Sequence, residues 1–236
     1  MHVSVIIPAY NEAGRIRDTL EHVTAYLSRQ EYDSEVIVVD DGSSDGTAAS
    51  AKRSFPDTKT VSYQPNRGKG YAVRTGMLAA SGAYRLFYDA DGSTPIDELE
   101  QVWPHFQDGA DIVIGSRALP DSNVEIPQSW ARRNMGRMFN ILVKSLAFRG
   151  IPDTQCGFKI FTAAACETVC SRQTLDGFAF DVELLYIAKK HALRIDQIPV
   201  RWVNSPRSAV SLLRAPAHML HEVLKIRAND RQGRYE

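Results

Sequence analysis

The sequence has few cysteines: Cys156, Cys166 and Cys170 are the three among 236 residues. They are odd in number, bunched late and without metal-ligand spacing, which excludes a disulfide-stapled secreted scaffold and suggests a reducing compartment. No apolar run approaches the ~18 residues of a spanning helix. The first residues, MHVSVIIPAYNE, lack the charged start and long apolar core of a signal peptide, so a cytoplasmic location is expected. Net charge is absent too, with 28 Lys/Arg against 28 Asp/Glu, and no nucleic-acid partner is expected. The six His show no ligand spacing. There is neither an internal repeat nor a low-complexity tract.

What is present is globular composition, 44% hydrophobic and 24% charged, in a chain too short for two full catalytic domains. The balanced charge is unevenly spread. Residues 1–114 carry 10 Lys/Arg against 17 Asp/Glu, residues 115–160 carry 7 against 3, and residues 189–236 carry 10 against 4. An acidic half followed by basic segments implies different ligands for each, the basic part suiting an anion or an anionic membrane surface; solvated faces are the plainer alternative.

Short β-branched runs alternate with helical periodicity through the first half. Strands are expected at Val3–Pro8, Val36–Val39, Thr60–Tyr63, Tyr84–Tyr88 and Ile112–Gly115. Helices are expected at Asn11–Arg29, from Ser44 or Asp45 to Arg53, and at Lys69–Ser81 and Ile96–Gln107. This alternation signals an α/β fold with a mostly parallel sheet covered on both faces, whose ligands sit beyond the carboxyl ends of the strands. Those ends read Pro8-Ala9-Tyr10-Asn11-Glu12, Asp40-Asp41-Gly42-Ser43, Asp89-Ala90-Asp91 and Gly115-Ser116-Arg117, all polar or glycine-rich. In the second half, amphipathic helices are expected at Arg132–Arg149 and Pro216–Arg227, a turn and strand at Gly150–Phe161, a helix at Phe180–His191 and a strand at Ile195–Val203. The tail after Ala228 is polar and reads as loose.

Asp89-Ala90-Asp91 is the sharpest chemical signal. Two carboxylates around one small residue after an apolar strand can face one Mg²⁺ or Mn²⁺, hard cations that take oxygen ligands and bridge to phosphates. The same three residues can equally be a strand-end turn. Asp40 and Asp41 can accept hydrogen bonds from a base N–H and a ribose hydroxyl, or serve a strand–turn–helix junction. Asn66-Arg67-Gly68-Lys69-Gly70 opens a helix with two cations and free N–H groups that suit a pyrophosphate. It matches neither the Walker nor the dinucleotide glycine pattern, so an ATPase or a dinucleotide oxidoreductase is not expected.

Taken in order, SVIIPAYNE, VIVVDDGSSDGT, NRGKGYAVRTG, LFYDADGS, IVIGSR, DTQCGFKIF and FAFDVELLYIA followed by IPVRW resemble glycosyltransferase family 2. Within it they resemble the dolichyl-phosphate β-glucosyltransferase group and its prokaryotic polyprenyl-phosphate relatives. The resemblance spans about residues 3–227 and implies one GT-A domain, with a nucleotide-sugar half at 1–117, an acceptor half at 118–227 and a polar tail at 228–236. It implies that Pro8, Ala9, Tyr10, Glu12, Asp40, Asp41, Lys69, Asp89, Ala90 and Asp91 meet the donor, Asp89 and Asp91 through a divalent metal. It implies that Arg117, Arg132, Arg133, Lys159 and Arg207 meet the phosphate of a lipid acceptor. Asp153 and Asp181 are candidates for orienting the sugar or those cations, or are a turn residue and a helix cap. Ser93 stands where the mannosyl branch usually has Gln, which favours the glucosyl branch. Arg207-Ser208-Ala209-Val210 departs from the family's usual G-S-K-V-like turn.

A lipid monophosphate is already mostly dianionic at neutral pH, its second pKa being about 6, so it needs a cationic cradle and no general base. Together with this, the resemblance implies an inverting transfer of glucose from UDP-glucose to a polyprenyl phosphate, and the basic amphipathic helices suggest peripheral membrane contact. The alternatives are a GDP-mannose donor, a soluble acceptor that would require Asp153 or Asp181 as base, and a non-catalytic nucleotide-sugar-binding module. Cys156 reads as a packed residue.

Overall fold

The computed structural model describes residues 2–124, 150–203 and 215–236, with side chains of the last helix described from residue 221. Arg132, Arg133, Arg207 and the helix expected at Arg132–Arg149 lie outside the described residues.

The strand expectations translate into one sheet. β1 (His2–Ala9), β2 (Asp33–Asp40), β3 (Lys59–Ser62), β4 (Tyr84–Tyr88) and β5 (Ile112–Ser116) are joined by β7 (Phe158–Thr162) and β8 (Ile195–Pro199) in the order β3-β2-β1-β4-β7-β5-β8. β7 runs antiparallel to both its neighbours, and every other pairing in this sheet is parallel. The chain's second half therefore inserts a strand into the sheet of its first half. A short β6 (Asn123–Val124) pairs in parallel with β9 (Arg201–Trp202) outside it. The single strand expected over Ile195–Val203 is thus two, broken after Pro199, which has no N–H to continue a ladder.

The period-two alternation of strand side chains divides the core between the faces. Ile6, Ile37, Val39, Phe87, Ile112, Ile114 and Phe161 pack under α3 (Lys69–Ala79) and the helices Ala163–Cys170 and Phe180–Lys190. Val5, Ile7, Val36, Val38, Leu86, Val113 and Ile160 pack under α1 (Ile16–Leu27), α2 (Thr47–Ser54) and the segment 96–107. Nearly all are fully buried, each contributing roughly 1.5–3 kcal/mol of transfer free energy.

Three expectations are corrected. The helix expected from Asn11 begins at Ile16; residues 11–13 instead dock on residues 43–47, their N–H groups donating to Ser43 Oγ, Thr47 Oγ1 and Asp45 Oδ2 at 2.8–2.9 Å. Asn11 takes a left-handed φ of 55° to do so. The helix expected over Ile96–Gln107 is a 3₁₀ segment, Ile96–Val102, passing into a short α4, Trp103–Gln107. Pro104 accounts for this, since its ring would clash with the carbonyl four residues back in a continuous α-helix. Finally, the tail is not loose. The last helix runs Ala215–Arg231, and Tyr235 beyond it is completely buried.

Candidate active site

The parallel topology brings the carboxyl ends of β1, β2, β4 and β5 to one edge of the sheet, and the polar strand ends meet there. At the end of β1, Pro8 and Ala9 are buried and Tyr10 is exposed. Glu12 pairs with Arg15, whose Nη2 lies 2.5 Å from Glu12 Oε1. This pairing, despite burial, raises the Arg15 pKa, with Asp91 and Asp89 adding to the rise.

The two acids ending β2 differ. Asp40 accepts a bond from Ser43 N–H at 3.0 Å through Oδ1. Asp41 accepts from Arg67 N–H, Asn66 Nδ2 and Gly68 N–H at 2.8–2.9 Å, using both oxygens. Asp41 thus fixes the Asn66–Gly70 turn and leaves Asp40 as the acid with an uncommitted oxygen among these bonds. The turn also needs Gly68: its φ is +104°, and a Cβ there would sit 2.4 Å from the carbonyl oxygen of Asp176.

That turn delivers Lys69 to the end of β4. Lys69 Nζ lies 2.6 Å from Asp89 Oδ1. Burial alone would lower the lysine's pKa, but Asp89 and then Asp181 overcome it, and the pKa is raised. Asp91 accepts Ser93 N–H at 2.9 Å through Oδ1, and the Ala90 carbonyl is tied to Thr19 Oγ1 at 2.7 Å. Behind them Gly157 makes room: its carbonyl accepts Asp89 N–H at 3.0 Å, and a Cβ on it would fall 1.9 Å from Asp89 Oδ2. Among the described residues no group of three or more His, Cys, Asp or Glu is placed to hold a metal. Asp89 and Asp91 offer carboxylate oxygens, the donor type that a hard divalent cation such as Mg²⁺ or Mn²⁺ takes.

On the other side, Arg117 at the end of β5 is forked onto Asp153. Nε and Nη2 reach Oδ2 and Oδ1 at 2.7 and 2.8 Å, and the Arg117 N–H adds a third bond at 2.9 Å. Burial would raise the Asp153 carboxyl, but Arg117 overrides it and brings the pKa down to about 2. The Arg117 pKa is raised in spite of burial, by Asp153 and, more weakly, by Asp89. Its guanidinium also lies 5.5 Å from the Trp202 ring centroid.

Lys159, expected to meet an acceptor phosphate, is fully buried instead. Its ammonium is held by Asp181 Oδ1 at 2.5 Å and the Cys156 carbonyl at 2.6 Å. It lies within cation–π range of Phe87, as Lys69 does. For Asp181, burial outweighs Lys159 and Lys69 and raises the pKa. Asp181 is one residue inside the helix Phe180–Lys190 and is not its cap, which is Ala179. Cys156 is packed as expected, its thiol pushed up to about 11 by burial. The result is a set of opposite-charge pairs, Lys69–Asp89, Lys159–Asp181 and Arg117–Asp153, with Asp91 close enough to act on Lys69. The roles of Gly157 in seating Asp89, of Asn66 in engaging Asp41 and of Trp202 under Arg117 were not read from the sequence. The adjacency of Gly157 to the DTQC motif was the available signal for the first.

A model of the family described as glycosyl transferase family 2 matches residues 4–170. The chain is 33% identical over 242 residues to a dolichyl-phosphate beta-glucosyltransferase of Dictyostelium discoideum, covering 96% of this chain and 74% of that protein. It is 38% identical over 221 residues to a protein of the same description from Drosophila melanogaster, covering 86% and 68%. Among solved structures it resembles glucosyl-3-phosphoglycerate synthase of Mycobacterium tuberculosis in complex with Mn²⁺, UDP and glucosyl-3-phosphoglycerate. That match has a TM-score of 0.73 at 22% identity and covers 98% of this chain and 80% of the other.

Proposed function

The chain belongs to glycosyl transferase family 2, and on that premise we propose that this glycosyltransferase moves glucose from UDP-glucose to a polyprenyl phosphate such as dolichyl or undecaprenyl phosphate, with inversion. The names of its relatives support the glucosyl donor and the lipid-phosphate acceptor. The observation that carries the acceptor class is the state of the two carboxylates that could serve as general base. Asp153 is forked to Arg117 with a pKa of about 2, far too acidic to take a hydroxyl proton at neutral pH. Asp181 is buried and bonded to Lys159. An acceptor already ionised needs neither.

Asp40 accepts hydrogen bonds from the donor's base or ribose, and exposed Tyr10 offers a ring face beside it. Asp89 and Asp91 would hold Mg²⁺ or Mn²⁺, which when bound would supply positive charge at the diphosphate. Lys69 stands against Asp89, so its ammonium adds charge where the leaving UDP becomes more negative. Arg117, aimed by Asp153, meets the acceptor phosphate and lets two anions approach one carbon. That carbon passes through an oxocarbenium-like state. Attack on the face opposite the leaving group inverts the anomeric centre. Arg132, Arg133 and Arg207 belong to the same acceptor cradle in this reading. Lys159 does not, and braces Asp181 and the Cys156 carbonyl ahead of β7 instead.

No described helix is long and apolar enough to cross a membrane. Peripheral contact at a cytoplasmic membrane face, through the basic amphipathic segments, is part of the proposal. The test is incubation with labelled UDP-glucose or GDP-mannose, each with undecaprenyl phosphate, dolichyl phosphate or a panel of soluble saccharides, and Mn²⁺ or Mg²⁺. Butanol-extractable label from UDP-glucose is expected. Label that appears only on a soluble saccharide would overturn the acceptor, and label from GDP-mannose alone would overturn the donor.

A further inference from the structure

Residues 229–236 are polar in sequence but are among the most firmly bonded in the described structure. Tyr235 is wholly buried; its hydroxyl donates to Glu183 Oε1 at 2.6 Å, and its carbonyl oxygen lies 2.8 Å from His191 Nε2. Lys190 Nζ reaches Asp230 and Glu236 at 2.7 and 2.6 Å, Tyr186 donates to Asp230 at 2.7 Å, and Arg172 Nε donates to the Glu236 carbonyl at 2.8 Å.

Glu183, the residue Tyr235 seeks out, is a fully buried carboxylate on the helix Phe180–Lys190. Besides Tyr235 it accepts Thr174 Oγ1 at 2.5 Å, Thr174 N–H at 3.1 Å and Leu175 N–H at 2.8 Å. Asn229 Nδ2 closes the ring by donating to Thr174 Oγ1 at 2.8 Å. Burying a charge is costly unless hydrogen bonds replace its hydration. Here the replacements come from one loop and one C-terminal tyrosine, so the carboxylate ties the two together.

The loop so held, Gln173–Gly177, grips the turn that carries Lys69. The Asp176 carbonyl accepts Gly70 N–H at 2.8 Å, Gln173 Nε2 donates to the Gly70 carbonyl at 2.9 Å, and Arg74 of α3 donates to the Gln173 carbonyl at 2.6 Å. The Asp176 carbonyl is also the atom that leaves no room for a side chain at residue 68. Contacts therefore run unbroken from Tyr235 through Glu183, Thr174–Leu175 and Asp176 to Gly68–Gly70, and end on Lys69 against Asp89.

We propose that Glu183 and Tyr235 are positioning residues for Lys69: the docked C-terminal segment sets the lysine's place against the donor diphosphate. This rests on the reading of Lys69 as a donor-side cation. Loosening the clasp leaves Lys69 charged but lets its turn wander, which weakens the nucleotide without touching the acceptor side.

The test compares wild type, Y235F, E183A, E183Q and K69M. It measures UDP affinity with Mn²⁺ by calorimetry, separate KM values for donor and acceptor, and amide hydrogen exchange of residues 70–72. Y235F removes one hydroxyl and keeps the ring in the core. It is expected to speed exchange at Gly70 and Tyr71 and to weaken UDP binding by about two- to tenfold, the reach of one buried hydrogen bond, with the acceptor KM unchanged. E183A is expected to do more, and E183Q to recover part of the loss by keeping one acceptor oxygen for the loop. A fall in melting temperature with unchanged exchange at 70–72 and unchanged UDP affinity in Y235F overturns the proposal. So does faster exchange with unchanged UDP affinity in Y235F while K69M binds UDP poorly. If K69M itself binds UDP as wild type does, it is the donor-site reading of Lys69 that fails.

Discussion

Replacing Gly157 by alanine isolates the seating of Asp89 from every other feature of the site. Gly157 has no left-handed φ, so its backbone tolerates a side chain and the whole effect lies in space. The added methyl would fall 1.9 Å from Asp89 Oδ2, 2.2 Å from its Cγ and 2.8 Å from its Cβ. An ordinary contact is about 3.5 Å, so the carboxylate must retreat by roughly 1.5 Å. Rotating χ1 carries Cγ and both oxygens away, but the 2.8 Å approach to Cβ lies on the rotation axis and needs a small backbone shift as well. The loss of stability is therefore that of an overpacked site, about 1–3 kcal/mol. The same rotation takes Oδ1 away from Lys69 and Oδ2 away from the loop where the metal and diphosphate are proposed to sit. Misplacing a reacting group by about 1 Å costs on the order of 100-fold in rate. G157A is therefore expected to stay folded, melting up to about 10 °C below wild type, while losing about 100-fold in glycolipid formation and needing more Mn²⁺ for half-maximal rate. Wild-type turnover and metal requirement in a folded G157A would refute the placement of Asp89 at the centre of the chemistry.

Other perturbations bear on neighbouring parts of the account. The Asp153 carboxyl is depressed to about 2, so its pairing with Arg117 stabilises the fold fully above the ordinary carboxylate pKa of about 4. That stabilisation, about 2 kcal/mol, is lost as pH falls through 2. The difference in urea stability between wild type and D153N should therefore be largest near pH 6 and shrink between pH 4 and pH 2; a gap independent of pH would contradict the pairing. K159M leaves Asp181 buried without its partner and is expected to lose about 3–5 kcal/mol in denaturant unfolding. K159M/D181N should recover most of this, and a mild K159M would show that the pair is not buried. All three cysteines are buried thiols, so a thiol reagent at pH 8 should titrate none in the folded protein and three after unfolding. One fast-reacting thiol in the native state would contradict the packing of Cys156.

Much of the architecture was legible because its signals are local. VSVIIP, VIVV and YRLFY are β-branched or aromatic runs, the last two ended directly by acids and the first followed by Ala9-Tyr10-Asn11-Glu12, and alternation with helical periodicity implies the parallel order that collects these polar ends at one edge. The antiparallel β7 was not legible as such, since FKIFT reads as a strand but carries no mark of its partners or direction. The same limit applies to the site. Asp89, Asp91 and Asp41 are conspicuous in sequence. That Asp41 spends both oxygens on the Asn66–Gly68 backbone, however, depends on where a distant turn folds. Lys159 reads as an available cation because a buried lysine looks no different in sequence from an exposed one; only Asp181, 22 residues on, explains its burial. The tail misleads for the same reason. Its polar residues look solvated, yet Asn229, Asp230 and Tyr235 each find a buried or half-buried partner on the helix Phe180–Lys190 or the loop before it.

The central claim is that Asp91 and Asp89 grip a divalent ion on the donor diphosphate. It is tested most directly by following transfer of labelled glucose from UDP-glucose to undecaprenyl phosphate by D91N and wild type, with Mn²⁺ and after chelation. The account predicts that chelation or the substitution each removes nearly all transfer, and that adding both removes no more than either alone. Undiminished glycolipid formation by D91N in chelator would contradict it.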